Sequence, residues 1–319
     1  MRIKRKLSLL IRSAERLNVS FFIHNHIQNV KLRKLLGVLL IPLGIIKYIY
    51  LTMQKKNTNS FKYQVSIVCI VKNESPYISE WIRYHQSIGV DHFYIYDNDS
   101  DDDLIDELKK FKDVITYTRV KGKLRQLDAY NNALNRFSNQ TKYLAVIDAD
   151  EFIYCPEDNH KILPFLNYRF KDSNVGGLAV NWVIYGSSKL ESKPEGLVTD
   201  NFVYHSYKDF EKNKFIKTIC NPRKVFDFTL SHAANYLPGY FAVDENGDYV
   251  PWANTKEVNI SHIRLNHYYS KSKEEFQEKR SRGSGEVVGL RRLSEFDEHD
   301  RNDVFDDSMR RYNKTHNLN

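Results

Sequence analysis

A run of seven residues, Val65-Ser-Ile-Val-Cys-Ile-Val71, constrains this chain more than any other feature. It is apolar at both alternating sets of positions, with one serine, so a strand built from it must be covered on both faces. Such a strand belongs inside a parallel sheet, whose neighbours need crossovers long enough to hold a helix. The sequence supplies them. Ser75-Pro76 suits a helix start, a hydroxyl cap followed by proline in the first turn. Ile78, Trp81, Ile82, His85 and Ile88 then recur at helical spacing, and Gly89 stops the helix. Residues 92–96, 114–120 and 143–147 read as further strands. Leu104, Ile105, Leu108 and Phe111 mark a second helix between them, and Leu127, Tyr130, Leu134 and Phe137 a third. This alternation predicts an α/β fold with a mainly parallel central sheet and helices on both faces.

In sheets of that kind, ligands bind beyond the carboxyl ends of the strands. Polar residues gather there: Asn73 and Glu74 after the first strand, Asp97, Asn98, Asp99 and Ser100 after the second, and Asp148, Asp150 and Glu151 after the fourth. If 148–151 is extended, alternation points Asp148 and Asp150 the same way, so both reach one hard cation, and turns Glu151 away. A divalent ion so held completes its shell with water and substrate phosphate oxygens and acts as a Lewis acid on a diphosphate leaving group. Asp97-Asn-Asp-Ser100 fits an Asx-turn before a helix and also a ligand contact by Asp97. No GxGxxG or GxxxxGK[ST] loop occurs, which argues against dinucleotide oxidoreductases and P-loop NTPases.

Charge separates the N-terminus from the rest. The chain has 48 basic and 40 acidic residues; nine basic residues but only Glu15 precede Leu35, leaving 39 of each sign afterwards. The basic residues flank an apolar run at 35–53, LLGVLLIPLGIIKYIYLTM, with Lys55 and Lys56 after it. That pattern favours an anionic membrane surface over nucleic acid, for which the neutral body offers no basic face. An interfacial or re-entrant anchor is the favoured reading, with a single-pass span and a buried soluble helix as alternatives. Three widely spaced cysteines without a CxxC support neither a disulfide framework nor a cysteine zinc site and fit reduced, buried thiols. With 319 residues, 41% apolar and 28% charged, we expect a membrane-associated segment at 1–59, one catalytic domain at 60–289 and a polar tail at 290–319.

The motifs together resemble glycosyltransferase family 92 and its bacterial relatives in the family 2-like group, which have the GT-A fold. The resemblance rests on Val71-Lys-Asn-Glu74, Glu80-Trp-Ile-Arg-Tyr-His85, 89-GVDHFYIYDN-98 and Asp148-Ala-Asp-Glu-Phe152. It continues through Asn181-Trp182 with Tyr185-Gly-Ser-Ser188, Lys217-Thr-Ile-Cys-Asn-Pro222, 267-HYYSKSKEEF-276, Lys279 and Arg282-Gly283. What it implies is transfer of a hexose, with galactose one option, from a nucleotide-sugar donor to a glycan acceptor. A UDP-sugar with Mn²⁺ or Mg²⁺ is the expected pairing, and inversion the expected stereochemistry. Asp148 and Asp150 match the family's metal motif. Asn73, Glu74, Asp97, Asn98, Gln126 and Asp148 fall where relatives hold the donor. A later histidine often completes the metal shell; His267 is the choice and His232 the alternative.

Inverting transfer needs a carboxylate to take the acceptor's proton, and Asp200 is the candidate. Trp182 and Tyr185 are candidates for stacking on an acceptor sugar, although such residues more often pack in cores. Lys271, Lys273, Lys279, Arg280 and Arg282 form a basic run that is either a solvated face or a closure over the diphosphate. Family, anchor and reduced thiols together place the expected reaction at the cytoplasmic face of a membrane, on a glycan or glycolipid of the cell surface such as lipopolysaccharide or capsule. Competing readings are a non-catalytic nucleotide- or glycan-binding protein and a metal-dependent phosphotransferase.

Overall fold

The helices, in chain order, are α1 (Asn18–His26), α2 (Val30–Met53), α3 (Ser75–Ser87), α4 (Leu104–Lys109), α5 (Gln126–Phe137), α6 (Ile162–Arg169), α7 (Val198–Asn201), α8 (Lys273–Ser281), α9 (Ser294–His299) and α10 (Ser308–His316). The strands are β1 (Tyr63–Val71), β2 (His92–Asp97), β3 (Ile115–Arg119), β4 (Thr141–Val146), β5 (Glu151–Tyr154), β6 (Val175–Ile184), β7 (Tyr204–His205), β8 (Ile216–Cys220), β9 (Val225–Phe228), β10 (Ala234–Tyr236), β11 (Phe241–Val243), β12 (Tyr249–Val250), β13 (Arg264–His267) and β14 (Val304–Phe305). They come from a computed structural model that describes residues 12–54, 60–156, 160–281 and 291–318. Arg2, Lys4, Arg5, Lys6, Lys55, Lys56, Arg282 and Gly283 lie outside the described residues.

β1 sits where its apolar sequence requires, between β2 and β4, with β3 beyond β2 and all three pairings parallel. Val65, Ile67 and Cys69 pack with Ile78, Trp81 and Ile82 of α3. Val68 packs with Ala129, Tyr130 and Leu134 of α5. Each such fully buried aliphatic side chain contributes about 1.5–3 kcal/mol. Helices therefore cover both faces, as expected. The sheet continues through β8, antiparallel to both β4 and β6, and ends in β11 and β12. The strand–helix alternation does not foretell β8, because Ile216-Lys-Thr-Ile-Cys220 carries a lysine and a threonine at its centre.

α3 does more than cover the sheet. Trp81 Nε1 donates to the Glu151 carbonyl at 2.8 Å, and the Tyr84 hydroxyl donates to that of Ile153 at 2.8 Å. His85 Nδ1 lies 2.8 Å from the Trp81 carbonyl, and its Nε2 accepts the Ile153 N–H at 3.3 Å. Both roles require a neutral ring, and burial pushes its pKa down to about 3. Three side chains on one helix thus hold the start of β5. Ser75 is the first residue of α3, and its N–H goes to Asp102 Oδ2 at 2.8 Å, so the stabilising side chain comes from the next loop and not from the expected serine hydroxyl.

Residues 291–318, expected as a polar tail, fold against the body. β14 pairs with β7, Arg264 Nη2 meets Asp306 Oδ2 at 2.5 Å, and Met309 and Tyr312 are buried. The N-terminal basic residues divide in role. Arg16 is buried, donating to Asn135 Oδ1 on α5 at 3.0 Å, and Arg12 lies 3.6 Å from Asp227. α2 crosses this turn at Gly44, where a Cβ would come within 2.4 Å of the Ser13 carbonyl carbon and Oγ. Its opposite face leaves Leu35, Val38, Leu39, Leu43 and Ile46 exposed. By length and composition α2 is able to cross a membrane. All three cysteines are buried and free.

The neutral His85 makes stability depend on pH. Its folded pKa is depressed, so between the unfolded value of about 6.5 and the folded value of about 3 the unfolded chain binds the extra proton and stability falls with falling pH. Urea denaturation should show a plateau above about pH 7 and a decline below it, and His85→Gln should remove about 1 kcal/mol per pH unit from that slope. An unchanged slope in the variant would count against the neutral ring.

Candidate active site

The carboxyl ends of β1, β2 and β4 bring the sequence candidates to one edge of the sheet. Asn73 adopts a positive φ of 54°. Its N–H donates to Ser100 Oγ, and its Oδ1 accepts from the Asp101 N–H, each at 3.0 Å. Asp97 is buried; Oδ1 receives the Ser100 N–H at 2.8 Å, completing the expected Asx-turn, and Oδ2 receives the Tyr117 hydroxyl at 2.6 Å. Asn98 Nδ2 donates to the carbonyls of Val120 and Gly122 at 2.9 and 2.7 Å. These bonds tie three strand ends into one rim.

The acidic segment is a turn and not an extended strand, because β4 ends at Val146 and β5 begins at Glu151. The alternation argument therefore does not apply. Long-range contacts decide where each carboxylate goes. Asp148 Oδ1 accepts from Gln126 Nε2 at 2.9 Å and from the Tyr130 hydroxyl at 3.1 Å, and Oδ2 from Lys217 Nζ at 2.7 Å. Asp150 Oδ2 accepts from Lys279 Nζ at 2.5 Å, and Oδ1 lies 3.6 Å from His267 Nε2. Glu151 is fully buried; its Oε2 receives the Asp148 N–H at 2.9 Å and lies 3.8 Å from Lys217. It faces the same lysine as Asp148, contrary to the expectation that it turns away.

Burial alone would raise all three carboxyl pKa values. For Asp148 burial is the largest single influence, but the charge and hydrogen bond of Lys217, with His267, turn the net shift downward. Lys279 and His267 hold Asp150 well below the usual range. For Glu151 burial wins over Lys217, and the neighbouring aspartates push further, so the group is raised well above the usual carboxylate range. His267 is lowered, burial outweighing Asp150.

The donor set fits a hard divalent cation in chemistry, with two ionised carboxylates and a neutral imidazole. The 3.6 Å between Asp150 Oδ1 and His267 Nε2 is less than two metal–ligand bonds of about 2.1 Å. Asp148 stands beside them, turned to Lys217. His232, the alternative ligand, bonds the Ile216 carbonyl through Nδ1 at 3.1 Å and is lowered to about 4, chiefly by burial. Among the described residues, the one trio of His, Asp and Glu ligand atoms all within 4.8 Å of one another lies elsewhere: Glu15, His24 and Asp128. There Arg125 Nε is 2.5 Å from Asp128, which makes an ion-pair network joining α1 to α5.

Trp182 is buried, with its ring 4.4 Å from His267 and 5.0 Å from His232. Its Nε1 and His267 Nδ1 are buried with no hydrogen-bond partner among the described residues. Tyr185 is enclosed, and its hydroxyl lies 3.1 Å from Asp306 Oδ2. Asp200 Oδ1 accepts from Asn313 Nδ2 of α10 at 2.7 Å. The basic run splits: Lys271 and Lys279 turn inward, Lys273 pairs with exposed Glu191, and Arg280 donates to the Arg291 carbonyl. Lys217 received no role from the sequence, although a lone charge in a short, otherwise uncharged strand signals a buried ion pair.

Residues 62–304 match the family model described as Glycosyltransferase family 92. A glycosyltransferase family 92 protein of Arabidopsis thaliana is 27% identical over 157 residues, covering 46% of this chain and 27% of that protein. One from Ricinus communis is 31% identical over 105 residues, covering 32% of this chain and 18% of its own length. The matches thus span less than a third of those relatives. Among solved structures, S. aureus TarS 1-349 is similar at a TM-score of 0.36 and 11% identity, over 65% of this chain and 60% of that one. A mannosyltransferase from Pyrobaculum calidifontis, solved with GDP-Man and Mn²⁺, has a TM-score of 0.30 and 15% identity, over 44% and 42%. These scores add nothing to the site. The mixed α/β architecture around a central, mainly parallel sheet is the GT-A fold that the sequence resemblance implied. Because the family's pattern runs through most of its length, from 62 to 304, the chain belongs to glycosyltransferase family 92.

Proposed function

We propose that this protein transfers a hexosyl group from a nucleotide-sugar, a UDP-sugar foremost, to a glycan acceptor held at a membrane surface. The observation that carries this reading is the meeting of Asp148 with Lys217 and of Asp150 with Lys279 at the carboxyl edge of the sheet, with buried Lys271 in the same electrostatic field. Carboxylates of that kind suit a divalent cation, and ammonium groups suit a diphosphate. Asp150 and His267, with Asp148 beside them, would hold Mn²⁺ or Mg²⁺, which would supply positive charge where the leaving diphosphate gains negative charge. The rim of Asn73, Glu74, Asp97 and Asn98 would hold the nucleoside, and Gln126 fixes Asp148.

In the transfer, the acceptor oxygen forms a bond to the anomeric carbon as the bond to the diphosphate oxygen breaks. The acceptor proton passes to a carboxylate, and the configuration inverts. Lys217 and Lys279 would exchange part of their present carboxylate contacts for phosphate oxygens, and Lys271, now over the Tyr77 ring, would add a third ammonium group. Asp200 is our proposed proton acceptor, supported by its rigid placement: the N–H groups of Val198 and Thr199 in α7 are held by Glu80 of α3. The membrane part of the proposal rests on α2, which packs on the body through Gly44 and Leu51 and leaves its other face apolar and exposed. A helix mounted in that way suits lying on the cytoplasmic surface, where a surface polysaccharide or lipopolysaccharide precursor would be met.

Purified protein given UDP-, GDP- and CMP-sugars should release UDP in the presence of Mn²⁺ or Mg²⁺, and Asp150→Ala should lower that rate about 100-fold or more. Release of inorganic phosphate in place of UDP would mark a phosphotransferase, and nucleotide binding without release a binding protein. Asp200→Asn should lower kcat about 100-fold with the donor KM unchanged. A change under about twofold would leave Asp200 with its structural bond to Asn313 alone.

A further inference from the structure

β8 presents its side chains to two different places. Lys217 points to Asp148 and Glu151, whereas Ile216 and Thr218 point to the opposite face, into a cavity of about 400 Å³. Thr218 Oγ1 donates to the His232 carbonyl at 2.9 Å. From His232, whose ring packs against Trp182 beside His267, the chain runs through Ala233 and Ala234 to form the cavity wall. The cavity is therefore separated from the acidic turn by one strand and one short segment.

Its lining is chemically selective. No charged side chain lines it among the described residues, so it suits neither a nucleotide diphosphate nor a metal ion. The aromatic rings of Tyr236, Tyr240, Phe241, Tyr249 and Trp252 surround it, with tyrosine hydroxyls and Thr218 supplying polar atoms. Trp252 and Tyr249 stand at its mouth, 45% and 62% exposed. Rings with one apolar face and hydrogen-bonding edges match a neutral, hydroxyl-rich pyranose, whose C–H faces pack on aromatic planes. Leu237 and Tyr240 also belong to the apolar cluster that seats Leu51 of α2, so the cavity lies next to the helix proposed to rest on the membrane.

We propose that this cavity is a saccharide subsite for the acceptor, with Trp252 and Tyr249 as its stacking platforms. The assignment rests on the transfer reading above, and it places the sugar platform at different residues from Trp182 and Tyr185. The acceptor's saccharide would enter from the side of α2 and direct its reacting end past His232 toward the acidic turn.

The chain has three tryptophans, and Trp81 and Trp182 are buried, so acrylamide quenching of the full chain reads Trp252. The probes are lactose, cellobiose and maltose, then phosphatidylglycerol vesicles with and without lactosylceramide. Protection by a soluble disaccharide or by lactosylceramide vesicles supports the subsite, and the comparison tells a free from a lipid-linked source. Trp252→Phe should abolish the response, and Tyr249→Ala should weaken saccharide affinity about tenfold. No protection by any saccharide overturns the proposal, as does equal protection by vesicles lacking lactosylceramide, which would assign the cavity to lipid. UDP release by the unmodified chain is followed in parallel. Intact release without saccharide protection removes the subsite alone, whereas absent release removes the transfer reading itself.

Discussion

The candidate site depends on one buried cation. Lys217 Nζ sits 2.7 Å from Asp148 and 3.8 Å from Glu151, on a strand that is buried along its whole length. A lone ammonium in such surroundings would be costly, and so would two carboxylates packed without it. The group of three resolves the conflict by sharing charge. Lys217 draws the Asp148 carboxyl downward in pKa, while Glu151, raised by burial, accepts the Asp148 N–H. The second aspartate repeats the device at the edge of the sheet with Lys279 and His267. A turn dense in acids is therefore rigid without being neutralised, and its outer oxygens face ammonium groups that a phosphate-bearing ligand also attracts.

The turn is also held mechanically, from both faces of the sheet. α3 grips the backbone of β5 through Trp81, Tyr84 and His85, while α5 grips Asp148 through Gln126 and Tyr130. α5 in turn carries the N-terminal segment: Arg16 bonds Asn135, and His24 lies 3.0 Å from Asp128. The segment proposed to meet the membrane is thus mounted on the helix that positions one of the two site aspartates.

The sheet edge was legible in the sequence because strand ends follow from local pattern. Val65–Val71 and its helical partners fixed the topology near β1, so Asn73, Asp97 and Asp148 had to gather at one edge. Asp97 and Ser100 made the Asx-turn that their spacing suggests. Several side chains were not legible. Tyr185 carries no surface mark that separates a stacking platform from a core ring, and it is enclosed with its hydroxyl beside Asp306, far along the chain. Arg16 looked like part of a basic flank and is buried against α5. Glu151 followed a turn whose geometry alternation does not describe.

The sequence by itself determined the α/β order, the covered first strand, the rim of polar strand ends and the family. Those depend on periodicity and on residues within a few positions of one another. Only the tertiary structure decided which charges meet. Lys217 reaches Asp148 across 69 positions, and Lys279 reaches Asp150 across 129. Only the tertiary structure, likewise, set the aromatic cavity of Tyr249 and Trp252 behind the strand that carries Lys217. Pairings of that range leave no periodic trace, because each is fixed by how the strands stack and not by the sequence around either partner.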